Sequence, residues 1–200
     1  MSINKKIVID EALKLLNAEG ISNVSLRAIA KRLDVKAPTL YWHIKNKAAL
    51  LNEMAEQILQ SQLSDILIRN PQDNWREWLI HVFNQLRKAL LSYTDGARVV
   101  AGAHFSQTMA DLNEKVLQVL LASGISLRDS RLLLLTTTHF TFGYVIEEQT
   151  NLDTEMRKNF DMELFAQKHP VTIAGIKEYF NSGRNKEDLF NDELKLIIKI

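Results

Sequence analysis

Apolar positions recur at helical spacing along almost the whole chain. Over residues 5–18, Ile9, Leu13 and Leu16 form one stripe, Ala12 and Leu15 lie beside it, and Gly20 supplies the stop. Ser25 is placed to cap a second helix whose Leu26, Ile29, Ala30 and Leu33 face inward and whose Arg27, Lys31 and Arg32 face out. A short turn, Asp34-Val35-Lys36, leads to a third helix over 37–44, with Pro38 in its first turn, where the missing N–H costs nothing. A long helix is predicted from Asn46 to about Ile68. It carries Leu50, Met54 and Ile58 with Leu51, Ala55 and Leu59 alongside, and Asn70-Pro71 ends it. Further helices are predicted at 74–92, 95–102, 106–123 and 127–150, the last opened by Ser126 and Asp129 at capping-box spacing. Residues 151–169 are polar and weakly periodic and read as a flexible connection with room for a helical turn. Val171–Asn181 reads as a helix, Ser182-Gly183 as a break, and 186–200 as a final amphipathic helix with Leu189, Leu194, Ile197 and Ile198. No strand pattern or internal repeat is present, so the fold class is all-α.

Composition narrows the picture. The 200 residues contain no cysteine, which excludes a disulfide framework and thiolate chemistry. No run of about 18 apolar residues exists, so no membrane contact is expected. Asp10 and Glu11 interrupt the N-terminus before a signal peptide could form, which points to the cytoplasm. The net charge of +1 hides an asymmetry. Residues 1–50 carry nine Lys and Arg against four acids, whereas the other 150 carry 16 against 20. A basic head on a mildly acidic body is what a phosphate-binding end requires.

The second and third helices, joined by a short turn, have the form of a helix-turn-helix within a three-helix head. The third is small enough to enter a major groove about 12 Å wide. Thr39, Tyr41, Trp42 and His43 cover more of its surface than a core contact needs. Thr39 suits a thymine methyl or a phosphate, and Tyr41 and His43 can donate to phosphate oxygens. Lys47 adds a cation at a helix N-terminus, and Arg27 can present its planar fork to guanine O6 and N7. The alternative at this point is that Tyr41 or Trp42 packs the head against the body.

The stretch LLNAEGISNVSLRAIAKRLDVKAPTLYWHIKNKAALL (15–51) resembles the signature of TetR-family transcriptional repressors. Its A-P-T-L-Y-W-H-I-K-N-K-A-A-L-L portion is especially similar to the tetracycline repressors, and ALLSYTDGARV (89–99) and HFTFGYVIEEQ (139–149) extend the resemblance into the body. The resemblance implies a homodimer whose heads, residues 1–47, occupy successive major grooves of a palindromic double-stranded operator. A ligand-binding and dimerisation body would span 48–200, with helices 127–150 and 186–200 at the dimer interface. Carried over by position, the DNA-binding residues are Leu26, Arg27, Ala37, Pro38, Thr39, Tyr41, Trp42, His43 and Lys47. Position 37 departs from the pattern: the tetracycline repressors carry a long polar, base-reading residue there, and Ala37 offers only a methyl group.

The resemblance also implies a small-molecule inducer held in the body, and with it a response to an antibiotic. Tetracycline repressors hold their drug as a magnesium chelate through one histidine, and here that position is Val100. Other drug-contact positions are Leu63, Val82, Leu86, Ala103 and Val116, while His139 and Glu147 remain. Losing this many donors disfavours magnesium-tetracycline, and the pocket reads as apolar. His139 and Glu147 are about 12 Å apart along one helix, too far for both to bind one metal within a chain. His104 is a substitute ligand only if Glu147 comes from a partner subunit. No metal site is assigned and no cofactor is expected to be required. An enzyme is disfavoured because no H-E-x-x-H, P-loop or G-x-S-x-G occurs. A helical protein-interaction module that does not bind DNA stays open.

Overall fold

The computed structural model describes residues 3–63, 74–150 and 160–199. Among them the chain forms eleven α-helices and no strand. They are α1 (Lys5–Glu19), α2 (Leu26–Arg32), α3 (Ala37–Tyr41), α4 (Lys47–Leu63), α5 (Trp75–Leu91), α6 (Gly96–Gly102), α7 (Gln107–Ala122), α8 (Leu127–Glu148), α9 (Met162–Lys168), α10 (Pro170–Asn181) and α11 (Lys186–Ile197). The helices divide into two compact units, residues 1–149 and 150–200.

Local chemistry explains the boundaries. Asn4 Oδ1 accepts from the Ile7 N–H, and Ser25 Oγ accepts from the Ala28 N–H, so α1 and α2 begin on capped ends. Gly20, at φ 75°, ends α1 in a conformation that disfavours a side chain and passes the chain to a 3₁₀ turn at Ile21–Asn23. Asp34, at φ 53°, makes the left-handed step between α2 and α3. One predicted element differs from expectation. The third helix stops at Tyr41 rather than at residue 44, because the His43 and Ile44 N–H groups both converge on the Leu40 carbonyl, at 2.9 Å each, and tighten the chain into a turn. Within the 151–169 connection the helical turn is α9, which starts where Asp161 accepts from the Leu164 N–H. Residues 151–159 and the Asn70-Pro71 stop lie outside the described residues.

In the first unit α4 is the hub. It packs against α1 on the head side and against α5, α6 and α7 on the body side. Leu50, Met54, Ala55, Ile58, Leu59 and Leu63 are its buried residues. The body closes with α8 against α5, α6 and α7. α8 buries Ser130, Leu133, Leu134, Thr137, Thr138, Thr141 and Val145 and turns Leu127 and Leu132 outward. At its end Arg87 of α5 makes a two-pronged ion pair with Glu148, with Nη2 2.6 Å from Oε1.

α6 starts where the chain passes close to the backbone of α5. A Cβ at Gly96 would collide with the Leu90 carbonyl. Gly96→Ala should therefore displace the start of α6 and lower stability by about 2–3 kcal/mol, the upper part of the overpacking range, because backbone cannot rotate out of the way. Urea unfolding of the variant against wild type checks this.

Candidate nucleic-acid interface and ligand site

The head is built around a small core in which α3 is held by Leu40 and the following turn by Ile44, both fully buried. Fixing those two side chains sends their neighbours the other way. Pro38, Thr39, Tyr41, Trp42 and His43 are all exposed, with Tyr41 at 49% and Trp42 at 90%. Neither ring packs the head against the body. An indole so exposed on a short, well-anchored helix end is free to meet a partner. Ala37 is half-buried, and Leu26, at 7%, packs α2 into the head core with Ile29 and Ala30.

The cations around this surface sort themselves. Arg32 Nε donates to Glu11 Oε1 at 2.6 Å, and that bond holds the Glu11 carboxyl below its ordinary value. Arg32 therefore fastens α2 to α1. Arg27, Lys31 and Lys47 lie at the surface, and Lys47 opens α4, whose first turn is capped by Asn46 Oδ1 accepting from the Ala49 N–H. Thr39, Tyr41, Trp42 and His43 are thus accompanied by a basic side chain from α2 and another from α4.

Two sets of polar contacts tie the head to the body, one at each end of α6. Before α6, the Thr94 N–H donates to Asn17 Oδ1 at 2.8 Å, and Asp95 Oδ2 accepts from the Ile21 N–H at 2.9 Å. After α6, Asn52 Oδ1 accepts from the His104 N–H at 2.9 Å. One turn along α4, Glu56 accepts from Ser106 Oγ, Thr108 Oγ1 and the Thr108 N–H. Glu56 thus serves as a second cap at the start of α7, where an anion is favoured. Burial raises its pKa, but the hydrogen bonds from Thr108, Ser106 and Gln60 outweigh burial and hold it below 4.5. None of these contacts was readable in the sequence, although Thr94 and Asp95 fall within the stretch 89–99 and His104 was weighed as a metal ligand. The available signal was Asn52 and Glu56 one turn apart on α4, undistinguished among its other polar residues such as Glu53, Gln57 and Gln60; the partners lie about fifty residues away.

The expected ligand residues fall into two groups. Leu63 on α4, Val82 and Leu86 on α5, Val100 on α6 and Val116 on α7 are buried on helices that pack together. Ala103 is half-buried in the loop after α6. His104, His139 and Glu147 are exposed, the last two on the outward side of α8. No cluster of three or more His, Asp or Glu suited to a metal occurs among the described residues. The first unit also has an open groove of about 460 Å³ between α1 and α4, lined by Lys5, Lys6, Ile9, Glu53, Glu56, Gln57 and Gln60, and it contains none of the expected ligand residues.

Residues 8–54 match the model of bacterial regulatory proteins of the tetR family, and residues 69–199 match that of the tetracyclin repressor-like C-terminal domain. The chain is 40% identical over 176 residues to the class A tetracycline repressor protein from transposon 1721 of Escherichia coli, spanning 88% of this chain and 81% of that protein. A variant of TetR from Acinetobacter baumannii AYE in complex with minocycline superposes with a TM-score of 0.73 at 29% identity, covering 99% of this chain and 96% of that one. BioQ with its natural double-stranded DNA operator superposes with a TM-score of 0.66 at 31% identity, covering 74% and 88%.

Glu56→Ala should destabilise the protein by about 1–2 kcal/mol at neutral pH, solvent access keeping the cost low in its range. Because the folded carboxyl titrates below 4.5, its contribution is complete above that pH and disappears as pH falls through the folded value. Thermal unfolding from pH 7 to pH 3 should show the wild-type and variant curves converging at the acid end.

Proposed function

As a member of the TetR family of bacterial regulatory proteins, this chain is a ligand-responsive DNA-binding transcriptional repressor, and we propose that it grips a palindromic operator as a homodimer and releases it when an apolar small molecule enters the body. The observation that carries this reading is the exposure of Tyr41, Trp42 and His43 on a helix end anchored by Leu40 and Ile44. In this reading α3 lies across base edges in the major groove. Thr39, Tyr41 and His43 meet phosphate or base, Trp42 lies against the sugar-phosphate backbone, Arg27 reads a base, and Lys47 holds a phosphate. Pro38 and Ala37 bring the backbone close. Leu26 acts from within the head core and sets the position of Arg27.

The inducer is proposed to be something other than magnesium-tetracycline. Val82, Leu86, Val100 and Val116 present only carbon to the core and cannot ligate a metal, so the site does not fit a magnesium chelate. Ligand entry among α5, α6 and α7 would favour an arrangement with α6 displaced. Since α6 is bound at one end to α1 and at the other to α4, the heads would move with it and lose their common register on the duplex. The homodimer is assigned to α8 and α11, whose Leu127, Leu132 and Leu196 are exposed in the single chain. No catalytic step and no required cofactor is assigned, and work on DNA fits a cytoplasmic protein.

Operator binding measured by fluorescence anisotropy at several salt concentrations tests the head. Tyr41→Ala and Lys47→Ala should each weaken binding about tenfold, and Lys47→Ala should lower the slope of log K on log salt by about one. Unchanged affinity in both variants would remove the assignment.

A further inference from the structure

The body core contains polar atoms that the fold itself does not use. Trp78 Nε1, Asn113 Oδ1 and Thr138 Oγ1 are buried and have no hydrogen-bond partner. Trp78 and Thr138 are only 6% and 8% exposed. Buried polar atoms are nearly always paired, so three orphans in one core call for an explanation. Their neighbours show that pairing was available. Thr137 and Thr141 return their hydroxyls to the carbonyls of Leu133 and Thr137 one turn back along α8. Thr138, lying between them, does not, and its own such carbonyl, that of Leu134, is approached by Thr137 at 3.0 Å. A fourth orphan, Gln149 Oε1, belongs to an amide already committed to fastening α8, since its Nε2 donates to the Leu90 and Tyr93 carbonyls.

The three orphans share faces with the apolar residues expected to line the ligand site. Trp78, Val82 and Leu86 follow one another at four-residue intervals on α5, and Asn113 precedes Val116 by three residues on α7. Thr138 lies on the buried stripe of α8 with Leu134, Thr141 and Val145. α5, α7 and α8 all pack against one another, so the three faces point into a common interior. Among the described residues the one buried ionisable side chain is Arg87, and it is engaged by Glu148. The interior thus offers a hydrogen-bond donor, an acceptor and a hydroxyl in apolar walls, with no uncompensated charge.

We propose that Trp78, Asn113 and Thr138 are the polar reading points of the inducer site, and that the inducer is a neutral, mainly apolar molecule with at least one hydrogen-bond acceptor and one donor. This rests on reading the body as a ligand site. The acceptor meets the Trp78 N–H, the donor meets the Asn113 carboxamide oxygen, and Thr138 serves either. Leaving these atoms unpaired until a ligand arrives lets an apolar site discriminate strongly, because a molecule lacking the matching group leaves them desolvated and unsatisfied.

A matched pair of probes, naphthalene and 2-naphthol, tests this in the full-length protein and in a Trp78→Phe/Asn113→Leu/Thr138→Val variant, with Trp78→Phe alone as the milder change. With only three tryptophans, the indole N–H resonances are easily resolved. In wild type, 2-naphthol should bind about tenfold more tightly than naphthalene and move the Trp78 indole N–H downfield, and naphthalene should not move it. In the triple variant the preference should vanish, naphthalene should bind as before, and the free protein should unfold no lower than wild type. A preference that survives in the variant, or a variant that unfolds well below wild type because trapped water had satisfied these atoms, overturns the proposal and leaves the ligand site standing. Binding of neither probe in the body overturns both.

Discussion

Everything that faces outward for recognition depends on the apolar stripe of α4. Leu50, Met54, Ala55, Ile58, Leu59 and Leu63 are buried along one continuous helix that the head and the body share. Burial of each large side chain contributes about 1.5–3 kcal/mol, so the stripe cannot slide or rotate piecemeal. The helix moves as a rigid rod or not at all. α3, attached to its start through a short turn pinned by Leu40 and Ile44, goes where the rod goes.

Polar contacts specify which way it goes. Apolar packing alone would tolerate small shifts of α6 between α4 and α5. The bonds from Asp95 and Thr94 to α1, and from Asn52 and Glu56 to the α6–α7 segment, set one arrangement of the head on the body. Such bonds are short-ranged and geometrically demanding, so a small displacement breaks them, whereas the packing beneath would only strain. The arrangement is stiff over small movements and yields over larger ones, the property a two-position device needs.

How much of this the sequence disclosed depended on the range of each interaction. The helices were legible because their signals are local: Ser25 as a cap, Gly20 as a stop, the apolar stripes of α1 and α4. The exposed surface of the head was legible because Tyr41, Trp42 and His43 are too large and too polar as a group to share one buried face. The end of α3 was misjudged by three residues, since the double acceptance at the Leu40 carbonyl is a matter of backbone geometry that side-chain types do not announce. The ties across α6 and the orphaned atoms of the core were invisible. They depend on which of many polar residues meet across fifty or more positions, and on which find no partner at all. His139 and Glu147 could be placed on one helix from spacing, but not on its outer side.

The composition of α8 bears on how the chain assembles. Thr136, Thr137, Thr138, Phe140, Thr141, Phe142, Gly143, Tyr144 and Val145 are β-branched, aromatic or glycine, a run that forms helix poorly by itself. Its helicity must be imposed by the grooves of α5 and α7, which leave the ribosome first. The N-terminal part can therefore build a template before the segment that needs one is made.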